Sequence, residues 1–160
     1  MTTPVTEPCS AVNDALSLAI AGLETQLAQL FSAGRRFLQE RAVAVHPELS
    51  PGAYKVVSTL ALGGPTHSGR LAAELGVDKS VISRMIRQLE DWGLAERGPD
   101  PDDGRAFLIT ATPAAVRKVN AVREESRARM HRSLADWDEA DLEHLTELLA
   151  RLNGLTEPGA

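Results

Sequence analysis

Lys79, Ser80, Ser83, Arg84 and Arg87 lie close together in the sequence. At about 100° per residue, Ser80, Ser83, Arg84 and Arg87 fall on one side of a helix, and Lys79 sits at its edge. Val81, Ile82, Met85, Ile86 and Leu89 fall on the opposite side, within an arc of about 140°. One face is therefore core. The other offers short hydroxyls near the helix start and two guanidinium groups a turn later. Hydroxyls hydrogen-bond to bases or phosphates, and arginine pairs bidentately with the O6 and N7 of guanine. A lysine beside a helix N-terminus adds a point where phosphate is favoured. Acid is absent from Lys79 to Leu89, and Glu90 and Asp91 come only at the far end. This chemistry suits a nucleic-acid groove. Catalysis would need a nucleophile with its base, a phosphate-cradling glycine loop or a metal cluster, and none is recognisable. Asp100, Asp102 and Asp103 lack the full spacing and terminal Glu of a calcium loop. The expectation is a protein that is not an enzyme and carries no cofactor.

The elements around this face follow from punctuation and period. Gly76-Val77-Asp78 is a tight turn that ends one short helix, about Gly69 to Leu75, and starts the next, about Lys79 to Trp92, with Asp78 as its cap. Before them, Ser50 and Pro51 open a helix with apolar Tyr54, Val57, Leu60 and Ala61, stopped at Gly63-Gly64-Pro65. After Gly93 the period changes. Leu94 to Arg97 and Ala106 to Thr110 read as short strands, joined by the turn formers Gly98 to Gly104. Helix, turn, helix and hairpin in this order make a winged helix-turn-helix over 50–112. The polar arm 1–10 holds Pro4 and Pro8 and predicts disorder. From about Val12 to Val45, apolar residues recur by three and four through Leu16, Ile20, Leu23, Leu27, Leu30, Phe31 and Leu38. His46-Pro47 ends that helix. It spans about 50 Å at 1.5 Å per residue, long enough to reach beyond its own globule. Thr112-Pro113 starts a helix to about Leu134. A last helix, about Glu139 to Leu152, is capped by Asp136 or Asp138 and carries a leucine stripe. The fold class is mainly α, with about six helices and a wing of two or three strands.

Composition bounds the rest. The chain has 160 residues and a net charge of −5, yet Asp78 to Gln88 is locally basic, while the basic stretch Arg117 to Arg132 reads most simply as a solvated helix face. Aromatic residues are 4%, which favours helix over sheet. The single cysteine, Cys9, excludes an internal disulfide framework. It also lacks a nearby His or Arg to activate it as a redox sensor. His46, His67, His131 and His144 are scattered, so no metal site is expected. No apolar run reaches the roughly 20 residues of a membrane span, and the N-terminus lacks secretory character, so the cytoplasm is the expected compartment.

The sequence resembles the MarR family of transcription regulators from about Val12 to Leu152. The resemblance rests on Leu71-Ala72-Ala73-Glu74-Leu75-Gly76-Val77, Ser80-Val81-Ile82-Ser83-Arg84 and Leu89-Glu90-Asp91-Trp92-Gly93-Leu94-Ala95-Glu96-Arg97. Its most specific piece is the wing signature Asp100-Pro101-Asp102-Asp103-Gly104-Arg105-Ala106, followed by Thr112-Pro113. The chain departs from the family at the wing tip, where Asp102 and Gly104 replace basic residues, and at Ala115, where glycine is common. The resemblance implies a homodimer in which helices of 11–48 and 113–155 interlock. Its two lobes would straddle a palindromic double-stranded DNA operator. It implies DNA contacts from Lys79, Ser80, Ser83, Arg84 and Arg87, and from Arg105 in the flanking minor groove. Arg105 alternatively pairs with Asp103. Repression is the implied sign.

Relatives of this kind release DNA when a small, often aromatic and anionic effector binds between dimer helices and DNA lobes. The residues of this chain placed for that are Phe37, Arg41, His46, Tyr54 and Arg117, with core packing and surface charge as the simpler reading. The acidic total charge and acidic wing keep one competing function open: a winged-helix protein-interaction module without specific DNA binding.

Overall fold

The computed structural model describes residues 8–103 and 106–154, with side chains from residue 14 onward. Most of the predicted arm, Arg105 and the side chain of Cys9 lie outside the described residues. Among these, the chain forms six α-helices and one two-stranded antiparallel sheet. It divides into two units, residues 1–119 and 120–160.

In the first unit, α1 (Pro8–Val45) begins within a turn of the expected Val12 and runs unbroken through Gly22 and Gly34. Its 38 residues make a rod roughly 57 Å long. α2 (Pro51–Gly63) starts where Ser50 accepts a hydrogen bond from the Ala53 N–H at 3.2 Å, with Pro51 in the first turn. It stops at Gly64, whose φ of +77° favours glycine. α3 (Ser68–Leu75) ends at Gly76 with φ +63° and ψ +35°, a left-handed cap that only glycine adopts without strain. There the Val77 N–H donates to the Ala72 carbonyl at 3.0 Å. This tight reversal sets the angle at which α4 (Lys79–Asp91) leaves. Asp78 takes the cap position of α4, but its side chain makes no capping bond, and only its carbonyl enters the helix.

β1 (Ala95–Pro99) and β2 (Phe107–Ala111) form the wing. The register runs from Ala95 opposite Ala111 to Pro99 opposite Phe107. Gly98 and Pro99, expected in the turn, belong to the first strand. Pro99 is tolerated because β1 is an edge strand, where a missing N–H breaks no ladder. The third strand shrinks to one bridge, Thr66 to Ile109. Thr112 closes the unit: its hydroxyl donates to the Gly93 carbonyl at 2.8 Å and accepts from the Ala115 N–H at 3.2 Å, which starts α5 (Pro113–Ser133). The core gathers Val45 and Leu49 with Val56, Val57 and Leu60 of α2, Leu71 of α3, Ile82, Ile86 and Leu89 of α4, and Leu94, Ile109 and Val119, all buried.

The second unit holds the rest of α5 and α6 (Glu139–Gly154). Of the two cap candidates, Asp138 serves: its carboxylate accepts from the Ala140 N–H at 3.3 Å. α6 buries none of its residues, and Leu145, Leu148 and Leu149 stay exposed.

Candidate nucleic-acid interface

The rod that carries the five polar residues is held from behind. Ile82, Ile86 and Leu89 are completely buried, one turn apart along α4. Burying three such side chains stabilises the seat by roughly 1.5–3 kcal/mol each. Val81 and Met85 mark the edge of this face and are half-buried. Met85 crosses α2 at Gly52, where an added methyl would come within 2.9 Å of its terminal carbon. Gly52 thus leaves room for the end of the Met85 side chain.

The outward side has the opposite character. Ser80, Arg84 and Arg87 are exposed, and Ser83 is half-buried. Lys79 is exposed and lays its stem beside Gly69 at the start of α3, with 3.7 Å between its Cε and a Cβ built there. Among the described residues, Lys79, Arg84 and Arg87 form no ion pair. Their donors are free for an incoming acceptor. Arg97, by contrast, meets Glu90 at 2.8 Å, and Arg132 meets Glu125 at 3.1 Å. Sequence reading missed the Glu90–Arg97 pair. It draws one acid of the far end of α4 toward β1, leaving the reading side free of that charge. Its signal was there, since the turn at Gly93 folds Arg97 back toward the end of α4.

In the wing, the Asp100 carboxylate accepts from the Asp102 N–H at 2.9 Å, and Asp102 and Asp103 are exposed. Arg105 lies outside the described residues, so both roles read for it remain expectations. Of the effector candidates, Arg41 lies over the Phe37 ring with 4.2 Å to its centroid. His46 stacks on Trp92 with centroids 4.6 Å apart and accepts at Nδ1 from the Glu48 N–H at 3.3 Å. Tyr54 is buried, and among the described residues its hydroxyl has no hydrogen-bond partner. Arg117 is exposed on α5. A separate cavity of about 360 Å³ opens between the end of α2 and α3, lined by Thr59, Leu62, Thr66 and Arg70 among others. Among the described residues no cluster of His, Cys, Asp and Glu is placed to hold a metal, and no helix is long and apolar enough to cross a membrane.

Residues 48–106, from the start of α2 to the wing, match the MarR family. The uncharacterized HTH-type transcriptional regulator YxaD of Bacillus subtilis is 31% identical, over 66% of this chain and 73% of its own length. The uncharacterized HTH-type transcriptional regulator Mb0904 of Mycobacterium bovis is 32% identical, over 86% of this chain and 77% of its own. The fold is similar to that of Streptococcus pneumoniae FabT solved in complex with DNA, with TM-score 0.76 and 13% identity over 85% of this chain and 96% of that one. These likenesses support the DNA-binding reading over an interaction module without DNA function. With a helix-turn-helix turned on Gly76, a reading helix of unpaired cations and a two-stranded wing, the chain belongs to the MarR family of DNA-binding transcription regulators.

Proposed function

We propose that two copies of the chain bind a palindromic operator and repress transcription by covering a promoter. Each α4 would lie in a major groove. Arg84 and Arg87 read base edges there, Ser80 and Ser83 contact bases or phosphates, and Lys79 meets a phosphate at the helix start. The observation that carries this reading is the division of α4: an inner side with Ile82, Ile86 and Leu89 completely buried, and an outer side whose cations form no ion pair among the described residues. Arg105 would contact the flanking minor groove.

The dimer is supported by exposed apolar surface on α1 and on α6. On α1, Leu16, Leu23, Leu30 and Phe31 are all more than half exposed. On α6, Leu145, Leu148 and Leu149 are exposed. Contiguous apolar patches of this kind mark association surfaces. Segments 11–48 and 113–155 are thus the proposed dimerisation region, and 50–112 the DNA-binding lobe.

The proposal extends to release by an aromatic or anionic effector near Phe37, Arg41, His46 and Tyr54. Arg41 supplies a cation over a ring. The Tyr54 hydroxyl is a buried donor without a partner, a situation that costs about 1–3 kcal/mol and that a polar ligand would relieve. An effector that prefers the DNA-free lobe spacing must weaken DNA binding by the same factor that DNA weakens its own.

A duplex selected from a random library by the protein itself tests the main reading. The selected sites should be inverted repeats with half-sites about one helical turn apart, bound by two chains. Affinity should fall linearly on a logarithmic salt scale. Equal affinity for the selected duplex and for random DNA would rule the reading out.

A further inference from the structure

His67 stands at the N-cap of α3, where serine, threonine, aspartate or asparagine stabilises a helix best. Its side chain makes no capping bond. It turns instead to the wing, and its Nε2 lies 3.0 Å from a carboxylate oxygen of Asp100. The Asp100 side chain is 10% exposed and that of His67 49%. The second Asp100 oxygen accepts from the Asp102 N–H at 2.9 Å, and the Asp100 N–H donates to the Ala106 carbonyl at 3.1 Å. Asp100 therefore organises the outer end of the hairpin. The residue before His67 is stapled to the same hairpin, because Thr66 and Ile109 exchange backbone hydrogen bonds of 3.0 and 2.8 Å. Arg97 and Glu90 fix the middle of β1 to α4. The His67 contact is the attachment of the outer end.

We propose that His67, through its hydrogen bond to Asp100, is the positioning residue that aims the wing at DNA, an inference that rests on the DNA-binding reading above. The α3 start gives up its best cap so that this side chain can hold the hairpin. The bond also engages one carboxylate of an acidic wing that must approach a polyanion.

The experiment compares two duplexes selected by the protein, one spanning the whole footprint and one trimmed of its flanks. Wild type should prefer the long duplex. His67→Ser supplies a good cap and removes the tie. Its melting temperature should hold or rise, while its affinity for the long duplex falls roughly two- to fivefold, the size of a partly exposed side-chain hydrogen bond. Its affinity for the trimmed duplex should not change. His67→Gln, which keeps an N–H donor, should recover the long-duplex affinity. An equal loss on both duplexes, no loss on either, or no recovery with Gln would overturn the proposal alone. A wild type indifferent to the flanks would overturn it together with the wing contact.

Discussion

Arg84→Ala removes one guanidinium from the exposed side of α4 and nothing else of consequence. Arg84 is exposed and makes no ion pair among the described residues. The change should leave folding stability within about 0.5 kcal/mol, as for surface substitutions away from special features. The helix behind it is held by Ile82, Ile86 and Leu89, which the variant does not touch. Any loss of DNA affinity is therefore a loss at the interface. A bidentate arginine–guanine pair discriminates by about 1–3 kcal/mol. A two-fold dimer carries two copies, so the variant should lose about 2–6 kcal/mol on a selected palindrome, roughly 30- to 10⁴-fold. On random duplex it should lose only the electrostatic share of one cation per subunit. Fluorescence anisotropy on both duplexes over a salt series reads these numbers. The slope against salt should change little if Arg84 reads a base, and by about one counterion per subunit if it meets a phosphate. Unchanged affinity for the palindrome, or equal losses on palindrome and random DNA, would refute the assignment of Arg84 as a base reader.

Three further outcomes follow from the same framework. Ile86→Ala leaves a cavity behind the reading helix and should destabilise the protein by about 2–5 kcal/mol in chemical denaturation, with DNA binding recovered at low temperature. Thr112→Val removes both hydroxyl hydrogen bonds that join Gly93 to the start of α5, and should cost about 1–2 kcal/mol by the same measurement. Leu145→Glu combined with Leu149→Glu puts charge on the uncovered stripe of α6. It should yield monomers in sedimentation equilibrium, and a dimer that persists would place the association surface elsewhere.

The local parts of this fold were readable because each is punctuated by a residue with a physical reason to be there. Gly76, Gly93 and Gly64 take positive φ where a chain reversal demands it, and Ser50 and Pro51 open α2 as serine and proline do. The two sides of α4 follow from period alone, and the structure keeps the arginines outward. Other features follow less directly from local pattern. Gly98 and Pro99 look like turn residues, yet they pair with Leu108 and Phe107 because the hairpin register extends past them. Asp78 looks like a cap, yet its side chain is not used as one. His46 on Trp92, Arg97 on Glu90 and His67 on Asp100 bring together residues from different elements. No local pattern encodes such meetings, since they depend on how helices and wing are docked.

The seating of α4 in the major groove can be read atom by atom. Replacing single purines of the selected duplex with 7-deazapurines deletes the N7 acceptor without changing base pairing or backbone charge. The account predicts that a few symmetric positions weaken wild-type binding by about 1–3 kcal/mol each, and that at least one of them has no further effect in Arg84→Ala or Arg87→Ala. A duplex that tolerates 7-deazapurines at every position, or losses that simply add to those of both arginine variants, would contradict it.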